Sequence, residues 1–271
     1  MEFLTETARR TPPLIIMRGT QFNVCGSGYD THLWLKPKIM RQSNAYIIHD
    51  PDGSLLKHHG RSFNRNGYAV KVLNLAKIKI STRYNPLEYI RSYSGAVKFV
   101  TALMSGTKGS GQPRDINFIS AETMLLTALV TYLHDEARSD EKNMNTLMLM
   151  LKYMLPEDDA DYEYKHAIDF IMEDKEKCDP EHLSVRLYNN FNDMMGTDAK
   201  GVVESCIARL APFDTDEMRD FLSDDEIGLD SLHFPNTALF VISGSTGEAF
   251  KFIAPLMYSQ FFDVMCEKCV Q

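Results

Sequence analysis

The chain has 271 residues, 44% of them hydrophobic and 24% charged, with a formal net charge of −8. That size allows one large domain or two modest ones, and the acidic balance excludes a protein whose bulk charge is that of a basic nucleic-acid binder. The longest apolar runs, "PLIIM", "TLMLML" and "TALFVI", fall short of the ~20 residues that cross a bilayer, and "MEFLTETARRTPP" has no apolar stretch behind its charges, so a soluble chain without a secretory leader is expected.

The first part of the chain alternates short strands and helices. "FNVCG" reads as a strand, "THLWLKPKIM" as a short helix and "AYIIHD" as a buried strand. "SLLKHHGRSFNRNG" reads as a helix that ends at Gly67, followed by a third strand in "YAVKVLNL" and a helix in "NPLEYIRSYSGAVKFVTALMSG". Such alternation predicts a mainly parallel sheet with helical crossovers. "KGSGQPRD", residues 108–115, reads as a flexible link.

From Ile116 to Leu222 the periodicity is helical throughout. One helix opens at "DPEHLSVRL", with Asp179 as its expected cap and Pro180 at its first position. The many methionines of this region suit an adaptable core. A strand returns in "TALFVISG", bounded by Asn236 and Gly244, and "TGEAFKFIAPLMYSQFFDVMCEKC" follows as a long helix. A sheet that resumes with one strand and one helix looks unfinished, so the chain is expected to be part of a longer protein. The expected domains are 1–112, 113–235 and 236–271, the helical middle being inserted into an α/β layer.

Charge is uneven along the chain. Residues 1–112 hold "KPKIMR", "KHHGRSFNR" and "KIKISTR", whereas residues 135–230 hold "PEDDADYE" and "SDDEIGLD". A solvated surface and a specific charged partner both fit this pattern. The five cysteines, Cys25, Cys178, Cys206, Cys266 and Cys269, form no disulfide framework, and the odd count suits a reducing compartment. Cys266 and Cys269 make a lone C-x-x-C where a zinc site needs about four ligands.

Two places could carry chemistry. The turn Cys25-Gly26-Ser27-Gly28-Tyr29-Asp30-Thr31 has the glycines and threonine of a phosphate loop but no lysine, so it reads either as such a loop or as a plain strand-to-helix turn. Asp50 ends a buried strand, where α/β folds hold catalytic or metal-binding carboxylates, and a solvated turn aspartate is the other reading. His49, His58 and His59 show no ligand spacing and read as surface residues.

The stretch "KPKIMRQSNAYIIHDPDGSLLKHHGRSFNRNGYAVKVLNLAKIKISTRYNPLEYI" resembles the conjugative DNA-transfer coupling proteins of type IV secretion systems. Residues 67–75 match the family pattern G-Y-x-V-K-V-x-N-L, and 83–86 match R-Y-N-P. "SAETMLLTALVTYL" is similar to the start of the family's helical insert. "AKGVVESCIARLAPFDTDEMRDFLSDDEIGLDSL" and "NTALFVISGSTGEAFKFIAPLMYSQFFDVMCEKC" resemble its return to the motor domain. The resemblance spans about residues 21–271 in unbroken order.

It implies a RecA-like P-loop ATPase core, with an incomplete sheet and an inserted all-α domain. It also implies ATP and Mg²⁺ as cofactors and a homo-hexamer that links relaxase, relaxosome and single-stranded DNA to the secretion channel. Gly26, Ser27, Gly28, Thr31 and Asp50 would then lie at the nucleotide. Family members carry a membrane anchor before the phosphate loop and work at the cytoplasmic face of the membrane, and the chain without it would be cytoplasmic. An Asp-Glu pair follows the last helix in the family and is absent here. A non-catalytic adaptor that recruits proteins through the helical insert is the alternative reading.

Departures from the family pattern fall in the loop and in the turn after the second strand. Counting back from Lys36-Pro37 without a gap, Asp30 stands at the lysine position and Thr31 at the threonine; anchored on the glycines instead, Tyr29 takes the lysine position. Asp52 and Ser54 replace lysine and glutamate of the family's D-P-K-G-E turn. A carboxylate beside a triphosphate is repelled by about 1–4 kcal/mol at effective dielectrics of 80 to 20, so weak or absent ATP hydrolysis is expected.

Overall fold

The computed structural model describes residues 13–18, 21–26, 45–107, 116–155, 165–232, 234, 236–244 and 250–270. The chain divides into two compact units: one contains residues up to Tyr84, then 226–247 and 253–271, and the other contains 85–225 with 248–252.

The first unit is built on a five-stranded sheet of order β2-β1-β3-β5-β4. Its strands are β1 (Pro13–Arg18), β2 (Gln21–Gly26), β3 (Ala45–His49), β4 (Ala69–Asn74) and β5 (Thr237–Ile242). β5 lies between β3 and β4 and pairs parallel with both, Ile47 opposite Leu239 and Val72 opposite Phe240. All six residues of β5 are buried, as expected of a continuous apolar strand in the middle of a parallel sheet. The remaining pairings are antiparallel, because β1 and β2 form a hairpin whose first strand adds to β3. The expected mainly parallel sheet is thus a parallel core of three strands extended by a hairpin. The run "PLIIM" forms the hairpin strand that periodicity alone did not single out.

Helix α1 (Ser54–Arg65) joins β3 to β4. Leu55, Leu56 and Phe63 of α1 pack with Tyr46, Ile48, Tyr68, Val70, Ala238 and Phe240. The alternation of strand side chains puts Tyr46, Ile48, Ala238 and Phe240 on this face of the sheet. The opposite face meets helix α9 (Ile253–Val270), where His49 Nδ1 lies 3.1 Å from the Tyr258 hydroxyl. At the end of α1 the Tyr68 N–H donates to the Phe63 carbonyl at 3.0 Å, and their rings meet edge-on at 5.0 Å. Gly67, at φ +78°, supplies the left-handed residue that this Schellman closure needs. His59 is only 7% exposed, so it belongs to the buried side of α1 and not to the surface as its residue type suggested.

The second unit holds α2 (Tyr93–Gly106), α3 (Ile116–Glu136), α4 (Met144–Lys152), α5 (Ala167–Cys178), α6 (Leu183–Met195), α7 (Ala199–Leu210) and α8 (Asp216–Phe221). Met144, Met148, Met150, Met154 and Met172 are buried, in line with the core role read from composition. The cap of α6 differs from expectation. Asp179 closes α5, and α6 begins at Leu183 with His182 accepting from the Ser184 amide, because Asp179 and Pro180 are consumed by the intervening turn.

Helix α3 is long and apolar enough, by length and composition, to cross a membrane. No single apolar run in the sequence had suggested such a helix. Here it is the spine of the helical unit, packed against α2, α6 and α7. It carries a buried charge: Glu122 Oε2 accepts from Arg209 Nη2 at 2.7 Å, and Ser205 donates to Glu122 Oε1. Arg209 Nη1 also donates to the Thr107 carbonyl at 2.7 Å and the Met104 carbonyl at 3.3 Å. The guanidinium thereby satisfies carbonyls left open at the end of α2. The expected helix "THLWLKPKIM" and the link at 108–115 lie outside the described residues.

Candidate functional site

Strands β2, β3, β5 and β4 all point the same way, since β1 runs antiparallel to both β2 and β3. Their C-terminal ends therefore share one edge of the sheet. Along it lie Gly26, His49 with Asp50, Ser243 with Gly244, and Asn74. Ligands of open α/β sheets bind outside this edge. Gly26 pairs with Pro13 on β1, and Leu14 beside it pairs with Ile48 on β3. Two strand spacings, about 10 Å, thus separate Gly26 from the end of β3.

Asp50 follows β3 directly and is 1% exposed. Its N–H donates to the Val241 carbonyl at 2.8 Å, which continues the parallel ladder past the strand end. Its Oδ2 accepts from the Leu56 N–H at 2.8 Å, in the first turn of α1. Its Oδ1 accepts no hydrogen bond and is buried. Burial pushes the Asp50 carboxyl above the ordinary carboxylate range, against the Leu56 and Leu55 amides, which favour the anion, and Asp52 adds to the rise. The exposed Asp52 is held low by the Ser54 hydroxyl and amide, the amide donating at 3.1 Å. Two carboxyls two residues apart are thus driven in opposite directions, a pattern that suits a site able to hold a proton or a cation. Burial also lowers the pKa of His49, with Asp50 acting the other way, and raises that of its partner Tyr258.

The other strand ends brace this edge. Gly244 donates to the Pro51 carbonyl at 2.7 Å. At φ +51°, with a Cβ that would fall 2.5 Å from Ala76 Cβ, this position admits only glycine without displacement. Asn74 Oδ1 accepts from the Ala76 and Lys77 amides at 3.1 and 2.9 Å and fixes the turn after β4.

Of the sequence-predicted site residues, Gly26 and Asp50 lie on the common edge, while Ser27, Gly28 and Thr31 are outside the described residues. Sequence reasoning missed Tyr258, which lies 209 positions from His49 and has no local signal. It also missed Asn74, whose place at a strand end could have marked it. Asp50 Oδ1, a hard oxygen ligand buried without a hydrogen-bond partner, fits the donor chemistry of Mg²⁺, which binds through one or two carboxylates together with substrate phosphates. Among the described residues no group of three or more His, Cys, Asp or Glu is placed to hold a metal ion by protein ligands alone.

Asp50→Asn tests the electrostatic reading. The folded protein holds the Asp50 proton more tightly than the unfolded chain, so the contribution of this group is complete below the ordinary carboxylate pKa and is lost as pH rises through the folded value. Asparagine keeps an acceptor for Leu56 and removes the buried charge. The variant is expected to be about 0.5–2 kcal/mol more stable at neutral pH and to lose this group's share of the fall in stability above about pH 4. Urea titrations across that range would count against the reading if both proteins gave the same slope.

These features define an α/β protein with an acidic strand-end site and a separate helical unit. The family model for type IV secretory system conjugative DNA transfer matches residues 28–269, and the chain belongs to that family of conjugative DNA-transfer coupling proteins. A search of curated proteins finds no match.

Proposed function

We propose that the chain serves conjugative DNA transfer as a coupling protein with a degenerate nucleotide site on a RecA-like P-loop core. Gly26, Ser27, Gly28 and Thr31 would lie around the phosphates, and Asp50 would face Mg²⁺. Bound nucleotide would supply the energy that family motors use to move a relaxase and its single-stranded DNA to the secretion channel from a homo-hexamer. The observation that carries this reading is the shared strand edge of Gly26 and Asp50, with Asp50 Oδ1 buried and without a hydrogen-bond partner. The loop limits it, because neither register supplies the cation that would neutralise the phosphates: Asp30 takes that position without a gap and Tyr29 when the glycines are the anchor.

Calorimetric titration with MgATP tests the proposal. The natural chain is expected to bind no tighter than about 1 mM, and Asp30→Lys to improve binding at least about ten-fold. Micromolar binding by the natural chain would overturn the degenerate-site reading, and an unimproved variant would remove support for the ungapped register.

The second reading is a non-catalytic adaptor that recruits protein substrates through the helical unit. It is favoured by that unit's own buried core around Glu122 and Arg209. DNA transfer that persists when nucleotide binding is abolished would select it.

A further inference from the structure

Helix α1 has two unlike faces. One side, Leu56, His59, Gly60 and Phe63, is turned toward the sheet. The other exposes Lys57, His58, Arg61, Asn64 and Arg65. No carboxylate occurs anywhere in Ser54–Arg65. Among the described residues, Lys57, Arg61 and Arg65 are engaged in no ion pair. In a chain of net charge −8 this is an unneutralised basic stripe. Positions i, i+4 and i+8 set its three cations along about 12 Å of helix, at about 6 Å steps.

We propose that this face of α1 is a DNA contact that grips the phosphate backbone without reading sequence. Three features favour phosphates over other partners. The face exposes no apolar side chain, whereas protein interfaces are centred on apolar and aromatic residues with charge depleted. The apolar side of α1 is already occupied by the sheet, so it cannot insert into a lipid surface as interfacial helices do. Lysine and arginine at regular steps with a polar residue between them match a repeating anion, and backbone contacts of this kind supply most non-specific affinity for nucleic acid. The inference rests on the reading that this chain handles DNA, and adds where it holds it.

The experiment measures fluorescence anisotropy of a labelled mixed-sequence oligonucleotide, single-stranded or as duplex, with the full chain over a series of salt concentrations. It compares the natural protein, the triple variant Lys57→Gln/Arg61→Gln/Arg65→Gln, and a control with the same charge change, Arg138→Gln/Lys177→Gln/Arg186→Gln, on exposed positions of the helical unit. The α1 variant is expected to bind at least about ten-fold more weakly at 50 mM salt, and its log–log salt slope to flatten by about 2 on single strands or about 3 on duplex. The control is expected to bind as the natural protein does. Equal binding by the natural chain and the α1 variant, or equal loss in both variants, overturns the inference while DNA handling stands. Absence of binding by the natural chain overturns both. A loss of self-association in sedimentation, with DNA affinity unchanged, would assign the face to a second copy of the chain and overturn the inference.

Discussion

Glu122→Ala is expected to destabilise the helical unit by about 3–5 kcal/mol, one of the two largest single-residue effects expected in this chain. The substitution leaves Arg209 buried with its charge unmatched, because Glu122 is fully buried and is the carboxylate on the guanidinium. Arg209 would keep its bonds to the Thr107 and Met104 carbonyls, so the loss falls on the α3–α7 junction first. Arg209→Ala should cost a comparable amount and also free the end of α2. Replacing both partners together, Glu122→Leu with Arg209→Met, should recover most of the loss, since an apolar pair of similar volume needs no desolvation of charge. Urea unfolding followed at 222 nm would reveal it, and a double variant no better than the singles would contradict this account of the ion pair.

Phe63→Ala carries the second large effect, about 3–5 kcal/mol lost from the sheet unit. The Phe63 ring is fully buried and meets Tyr46, Tyr68 and Phe240 at centroid distances of 5.4, 5.0 and 5.6 Å. One residue thus joins β3, β5, α1 and the turn into β4, and truncation leaves a cavity at their meeting point. Phe63→Leu should restore much of the stability. Thermal unfolding of the two variants is the measurement, and a Phe63→Ala protein within about 1 kcal/mol of the natural one would mean that the cluster collapses around the gap. Because α1 is held by this ring, the truncated variant should also lose the order of the basic face on its far side.

The sheet core was legible because its strands are short apolar runs between turn residues. "TALFVI" between Asn236 and Gly244 became β5, and "AYIIH" before the Asp-Pro turn became β3. The hairpin strand β1 was not, since nothing local shows that "PLIIM" pairs with two partners on either side. His59 was misread because its residue type outweighed its place one turn below Phe63. Asp179 looked like a helix cap, but the turn used it and His182 took the role. Asp50 was readable from its position after a buried strand. Its unpartnered buried oxygen was not, because that depends on which amides the following helix turns toward it.

The place of β5 bears on how the sheet is assembled. β3 and β4 cannot pair with each other, and both await a strand that emerges roughly 160 residues after β4 ends. The helical unit keeps its own two ends side by side: the Asn85 amide lies 3.4 Å from an Asp225 carboxylate oxygen, and the Tyr89 hydroxyl donates to the same group. Once that unit has folded, the loop to be closed shrinks to about 20 residues, which lowers its entropic cost by about 2 kcal/mol. A folded helical insertion thus brings the flanks of the central strand together and lowers the entropic cost of seating it between β3 and β4.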